Sequence, residues 1–174
     1  DDVIVDVGCG TGSLALLLRR REPAAQIIGV DPDRDVLTTA RRKADVAGME
    51  LDWHAGMGDE LEQTVGAGSA TVVVSSLVLH QCPVEMKRAI LTSMHAVLRT
   101  GGRAVVADYG LQRSATMRLA FRIVQLADGF RNTKPNADGI LPELMSDAGF
   151  TDVREVAVVR TVTGSISVYV AGRD

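Results

Sequence analysis

Cysteine is nearly absent: Cys9 and Cys82 are the only two in 174 residues. Two cysteines cannot build a disulfide framework, and no CxxC or Cys/His cluster offers zinc-ligand spacing, so no metal site is expected. Long apolar runs are missing too. The longest, Leu14–Leu18, falls far below the roughly 18 residues that a membrane-spanning helix needs. Positive charge is not in surplus: 19 Lys and Arg stand against 22 Asp and Glu, a net −3 with a pI near 5.6. A chain with that balance has no global field to draw it to nucleic acid or acidic lipid. A signal-peptide pattern is likewise wanting, because Asp1-Asp2 run straight into apolar Val3-Ile4-Val5. No initiator Met precedes them, so an N-terminal piece, a cap on the domain, is expected to be missing. The expected compartment is the cytoplasm.

What the chain does have is 46% hydrophobic content, ample for a core, in a length that suits one domain of about 100–200 residues. Val3–Val7 is a β-branched run ended by Gly8-Cys9-Gly10-Thr11-Gly12. Ser13–Arg21 reads as helix with Pro23 as its stop, and Gln26–Val30 as a second strand. Asp33 or Asp35 caps a helix running to about Ala47, closed by Gly48. Leu51, Trp53 and Ala55 alternate with Asp52 and His54, as in a third strand with one wetter face. Ala70–Ser75 is a fourth strand and Pro83–Arg99 a helix, with Ile90, Leu91, Met94, Val97 and Leu98 on its apolar side. Gly101-Gly102 turns the chain into a fifth strand, Arg103–Asp108.

Strands separated by helix-length crossovers imply a parallel sheet. After helical Leu141–Ala148 and a Gly149 cap, Val153–Val159 and Ser165–Ala171 lie too close together to be parallel neighbours, so the last strand enters antiparallel. The expected architecture is therefore α/β: a Rossmann-like, seven-stranded mixed sheet with helices on both faces, one domain over residues 1–174. Residues 110–140 form a helical insertion on the ligand side of that sheet. Within it, Ser114–Phe130 is apolar around most of its circumference, which predicts burial on more than one side. It reads as core under a missing segment, as a subunit contact that would make a homodimer, or as an apolar wall for substrate.

In an open α/β sheet, ligands lie beyond the carboxyl ends of the strands, where strand order reverses. There the glycine turn after the first strand removes Cβ atoms, and the next helix offers free N–H groups. Asp31, at the end of the second strand, stands where a carboxylate accepts from ribose hydroxyls. Together they predict a nucleoside cofactor. The spacing is G-x-G-x-G, with Ser13 where the last glycine of a dinucleotide fingerprint would sit, and no Tyr-x-x-x-Lys pair follows Tyr109 or Tyr169. A nicotinamide enzyme is thereby disfavoured.

Val3–Gly12 resembles the first motif of class I S-adenosylmethionine-dependent methyltransferases. The likeness continues through Ile28–Asp33, Ser75–His80, Leu98–Arg103 and the ending from Leu144 to the last hairpin. It is closest to the small-molecule enzymes of ubiquinone and menaquinone biosynthesis. The resemblance implies S-adenosyl-L-methionine as cofactor, with Asp6 at the amino end of its methionine and Gly8, Gly10 and Gly12 lining it. It implies Asp31 on the ribose, Pro32 on the adenine side, Gly56-Met57-Gly58 near adenine, and Ser75 and Ser76 near the methionine end. Cys9 lines the same turn and is read as small rather than nucleophilic. Met57 departs from the family, which often has an acid there for the adenine amino group.

A sulfonium methyl is already activated, so positioning and desolvation carry most of such a transfer. The best-placed groups for the acceptor's proton are His80 and Tyr109, each also readable as scaffold: His80 as a common family residue, Asp108 and Tyr109 as a strand-end carboxylate and an aromatic wall. His54 reads as solvated, His95 as scaffold, and Trp53 as core or adenine-side packing. Arg19–Arg21 and Arg41–Lys43 read as solvated groups late in their helices, at the sheet edge away from the cofactor. The expected partner is a small-molecule acceptor of apolar character, with no nucleic acid and no membrane span. A non-catalytic cofactor-binding module and a nucleic-acid or protein methyltransferase are the alternatives.

Overall fold

Val3–Val7 (β1) lies in the middle of the sheet because its side chains are apolar on both faces. Val5 and Val7 join one core with Ile28, Val73, Leu91, Met94 and Leu144, while Ile4 joins a second with Ala15, Ile27 and Val74. The structure, a computed structural model, describes residues 2–174. After β1 come α1 (Ser13–Arg21), β2 (Gln26–Asp31), α2 (Arg34–Ala47), β3 (Asp52–Ala55), α3 (Leu61–Val65) and β4 (Ala70–Ser76). A short 3-10 turn (Leu79–Gln81) leads to α4 (Val84–Val97), β5 (Leu98–Tyr109), α5 (Ala115–Asp128), α6 (Phe130–Ala137), α7 (Leu141–Asp147), β6 (Thr151–Thr161) and β7 (Gly164–Gly172).

The sheet order is β3-β2-β1-β4-β5-β7-β6. β7 runs antiparallel to both β5 and β6, as the short connection between the last two strands requires. Strand order reverses between β1 and β4, so the carboxyl ends of these two strands flank the crevice. The expected mixed sheet is thus observed, with seven strands in it.

Local capping chemistry places the helices. Asp33 accepts from the Asp35 and Val36 amides at the start of α2, and Gly48 closes that helix in the left-handed region. α3 has no counterpart among the expected elements, and two further helices depart from expectation. α4 ends at Val97 rather than Arg99, because Leu98 already pairs with Ala70. α6 is a separate helix, split from α5 at Gly129, whose polar sequence and internal Pro135 carry little helical signal. Within this chain α5 packs on one side: Phe121 and Val124 are its buried side chains, while Leu119, Ile123 and Leu126 are 68%, 62% and 88% exposed, as a face awaiting a further segment, a subunit or a substrate would be. It has a single supporting side, formed by α6 and β7.

Trp53, half-buried on β3, settles two glycine positions. A Cβ on Gly29, its neighbour on β2, would stand 2.5 Å from the indole, and one on Gly12 equally close. The ring is therefore sheet-edge core beneath the turn. Gly29→Ala should cost about 1–3 kcal/mol by overpacking. Urea denaturation should show most of that cost vanish in a Trp53→Leu background, where the space is free.

Candidate active site at the carboxyl ends of the strands

The glycine turn is held by backbone bonds to β2: the Gly8 and Cys9 amides both donate to the Val30 carbonyl. Gly8 is overlaid by Val78, whose methyl would lie 2.3 Å from a Cβ there. Gly10 (φ 52°) has nothing within 4 Å of where its Cβ would be, so the inner edge of the turn is open. Cys9 is buried with its thiol 3.0 Å from the position of a Gly29 Cβ. Burial and the nearby Asp6 and Asp31 push this thiol up to about 12, which makes it a protonated packing group rather than a nucleophile.

Two carboxylates meet this turn. Asp31 accepts from the Gly10 amide (2.9 Å) through Oδ2 and from the Asp33 amide (2.9 Å) through Oδ1. It latches the tip of the turn to β2, and each oxygen keeps a further lone pair for a ligand. Asp6 is 1% exposed on β1, and its Oδ2 has no hydrogen-bond partner. Burial raises the Asp6 carboxyl to about 7; the Ala15 amide works against the rise and Asp31 adds to it.

Pro32, Gly56-Met57-Gly58, Ser75 and Ser76, expected beside a cofactor, lie at the same strand ends. The Gly56 amide donates to the Asp31 carbonyl, and a Cβ on Gly58 would press on Val7 and Ile90 at 3.3 Å. Met57 and Pro32 are exposed. Ser75 is buried, its hydroxyl donating to the Val7 carbonyl, so its backbone alone faces the crevice; Ser76 is half-buried. Leu77 then adopts a left-handed conformation (φ 58°), unusual outside glycine, and the turn places Val78 over Gly8.

On the far side of this crevice, His80 and Tyr109 lie together, their rings edge-to-face at 5.0 Å. His80 is 4% exposed, and its Nδ1 meets Asp108 Oδ1 at 2.7 Å. Asp108 also accepts from the Leu79, His80 and Tyr109 amides, so it is fully engaged and fixed. Nε2 lies 3.4 Å from Asp128 Oδ2, at the end of α5, so the ring stands between two carboxylates. Tyr109 stacks obliquely on Phe121 (4.9 Å), and its hydroxyl bonds Thr163. Asp128 and Thr163 are neighbours of His80 and Tyr109 that sequence reading missed, since neither belongs to a motif.

Three other sequence expectations are settled here. His54 is exposed; His95 packs edge-to-face on Phe150 inside the scaffold, its imidazole held below the usual range by burial and Arg173. Arg19–Arg21 do sit in the last turn of α1. Arg41–Lys43 do not lie idle at a far edge: Arg41 bonds the Trp53 carbonyl, and Lys43 reaches back to the Thr11 carbonyl (2.9 Å) and Ser13 hydroxyl (2.8 Å), bracing the glycine turn. A long flexible stem allows that reach, which helix position alone does not reveal.

The sequence profile of the methyltransferase domain matches residues 4–102. Demethylmenaquinone methyltransferase of Thermus thermophilus is 31% identical over 120 residues, 69% of this chain and 53% of that protein. The chain thus spans about half the length of this curated relative. An O-methyltransferase family protein from Burkholderia thailandensis superposes with a TM-score of 0.76 at 16% identity, covering 99% of this chain and 51% of that one. Magnesium protoporphyrin IX methyltransferase from Synechocystis, solved with bound SAH, gives 0.74 at 20% identity, covering 98% and 74%. At such identities the structural likeness establishes the fold.

The unpartnered carboxyl makes a testable demand on the ligand-free protein. Its folded-state value, about 7, lies above the ordinary 3.8, so Asp6 contributes stability at low pH that is lost as pH rises through about 7. Asp6→Asn should remove that loss. The stability of the variant relative to wild type, by urea denaturation, should climb between pH 4 and 7 and level off above.

Proposed function

Because this chain belongs to the methyltransferase domain family, we propose that it binds S-adenosyl-L-methionine and transfers its methyl group to a small-molecule acceptor. The observation that carries this reading is the orphan Oδ2 of buried Asp6, beside a turn left open at Gly10. A buried acceptor with no donor, in a carboxyl held near neutrality, suits a cationic ligand; a diphosphate would meet repulsion from both Asp6 and Asp31. The residues present therefore fit this cofactor. Asp6 would face its ammonium end, Asp31 its ribose hydroxyls, and Gly8, Cys9, Gly10, Gly12, Ser75 and Ser76 would line it through backbone. Pro32 and Gly56-Met57-Gly58 would flank the adenine, with backbone groups in place of the acid that Met57 lacks.

When bound, the cofactor supplies a methyl group already activated by its positive sulfur. The chain's own task is to hold the acceptor in line, exclude water and take a proton. His80 suits the last role. Asp108 engages its Nδ1, so Nε2, which faces Asp128, is the nitrogen that would meet the acceptor's proton, and Tyr109 lies edge-to-face beside the ring. The half-buried Tyr109 ring also supports an acceptor with an apolar portion.

Two measurements test the reading. Cofactor binding should favour the ionised Asp6, so calorimetry with S-adenosyl-L-methionine should show affinity rising as pH passes through about 7, with proton release. The rise should be absent in Asp6→Asn, and no binding at any pH would remove the cofactor assignment. With methyl-labelled cofactor and a panel of phenols, quinols, amines and carboxylic acids, wild type should label one class. His80→Gln should lower kcat by about 10²–10⁴ with cofactor affinity unchanged. Tight binding without product would favour a non-catalytic module, and label on macromolecules a protein or nucleic-acid acceptor.

A further inference from the structure

The substrate-side helix α6 has almost no apolar hold on the domain. Its buried side chains are Thr133, Asn136 and Ala137, and Phe130 at its start is 59% exposed. What fastens it is polar and comes from beneath. Lys87, on α4, is fully buried, and its ammonium donates to the Leu79 carbonyl (2.6 Å), the Asn132 carbonyl (2.8 Å) and Asn136 Oδ1 (2.6 Å). Its three N–H groups meet three acceptors, all of them uncharged. The amides carry the link onward. Asn136 donates to the Tyr109 carbonyl (3.0 Å) and Asn132 to the Gln81 carbonyl (2.9 Å). Every branch ends on a residue that is, or adjoins, His80 or Tyr109.

A buried ammonium without a hydrogen-bonded carboxylate is a poor choice for packing alone, since an apolar side chain of similar length fills the space at no desolvation cost. Burial indeed lowers the Lys87 amine to about 8, with Asp108 and Cys82 pulling it back up. We propose that Lys87 is a positioning residue: it staples α6 to the turn that carries His80, setting His80 and Tyr109 against the acceptor while touching neither cofactor nor acceptor itself. This inference rests on the methyl-transfer reading for its catalytic consequence, but the staple has a readout of its own.

The test is Lys87→Met in the whole chain. Removing the buried charge favours the fold while leaving its three acceptors without a donor opposes it, so global stability at pH 7 does not separate a positioning role from a merely structural one. Hydrogen exchange should quicken over residues 129–137. With the acceptor found above, kcat should fall about tenfold or more from misplacement of His80, and KM for S-adenosyl-L-methionine should stay within about twofold. The pH signature is specific. Wild-type stability should gain as pH rises from about 8 toward 10.5, where the unfolded lysine holds a proton the folded one has lost, and the variant should lack that gain. If Lys87→Met does not fold, Asn136→Leu, which keeps the ammonium but cuts its link to Tyr109, should show the same exchange and kcat changes. Unchanged exchange over 129–137 in a folded variant overturns the staple, as does an unchanged kcat. A wild type that methylates nothing sinks the methyl-transfer reading and leaves the exchange result to decide the staple.

Discussion

The crevice depends on one backbone manoeuvre, the passage from β1 into α1 through Gly8-Cys9-Gly10-Thr11-Gly12. Two amides bonded to one carbonyl, Val30, hold its start, and the Gly10 amide bonded to Asp31 holds its tip. The glycines answer to different neighbours. Gly8 yields to Val78 and Gly12 to Trp53 and Ala40, so those two are fixed by packing. Gly10 faces open space, so what disfavours a side chain there is a backbone in the left-handed region rather than packing. Lys43, arriving from α2, closes the outer side of the turn and leaves only the inner edge free.

The two sides of the crevice are built by different physics. The glycine-turn side hangs on parallel strand ends whose register is set by buried β-branched residues, so its groups are placed as accurately as the sheet itself. The side bearing His80 and Tyr109 is flanked by helices after β5, where the apolar grip of α6 is slight and its alignment comes from side-chain hydrogen bonds. Such bonds are directional, so they fix orientation where an apolar contact would fix only proximity. Under the proposed function, the first side would take the cofactor and the second the acceptor.

That difference in construction explains what could be read from residues alone. The strands and the helices α1, α2, α4 and α7 carry strong periodicity and capping residues, so their existence was legible, with errors confined to ends such as Val97 against Arg99. The glycine turn and Asp31 stand at strand ends where residue order alone places them, whereas Asp6 entered through the family resemblance. α6 was not legible, since Phe130–Ala137 is polar and contains Pro135, and tertiary bonds rather than propensity hold it helical. The apolar surround of α5 was legible as composition, and the helix packs on one side against α6, β7 and Tyr109, with Leu119, Ile123 and Leu126 exposed. The pairing of His80 with both Asp108 and Asp128 joins residues on β5 and at the end of α5, which no local spacing announces. Lys87 was hidden in the same way, a lysine on an otherwise apolar helix face being ordinarily read as solvated.

Asp6 and Lys87 together show how a domain of this size holds charge inside. Both are buried beyond the reach of water, and burial moves each toward neutrality, Asp6 upward and Lys87 downward. The lysine has every donor matched by an acceptor of the chain, so its bonding is complete in the folded protein and its effect is internal alignment. The aspartate has an oxygen with no partner, so its bonding is incomplete until something cationic or donor-bearing arrives. An unmatched polar atom costs about 1–3 kcal/mol in the ligand-free fold. Under the proposed function that cost is recovered when a donor from the ligand is placed against the oxygen, so the same defect that weakens the empty domain would strengthen the loaded one. Lys87 is a charge that the fold itself completes, and Asp6 is one that it leaves open.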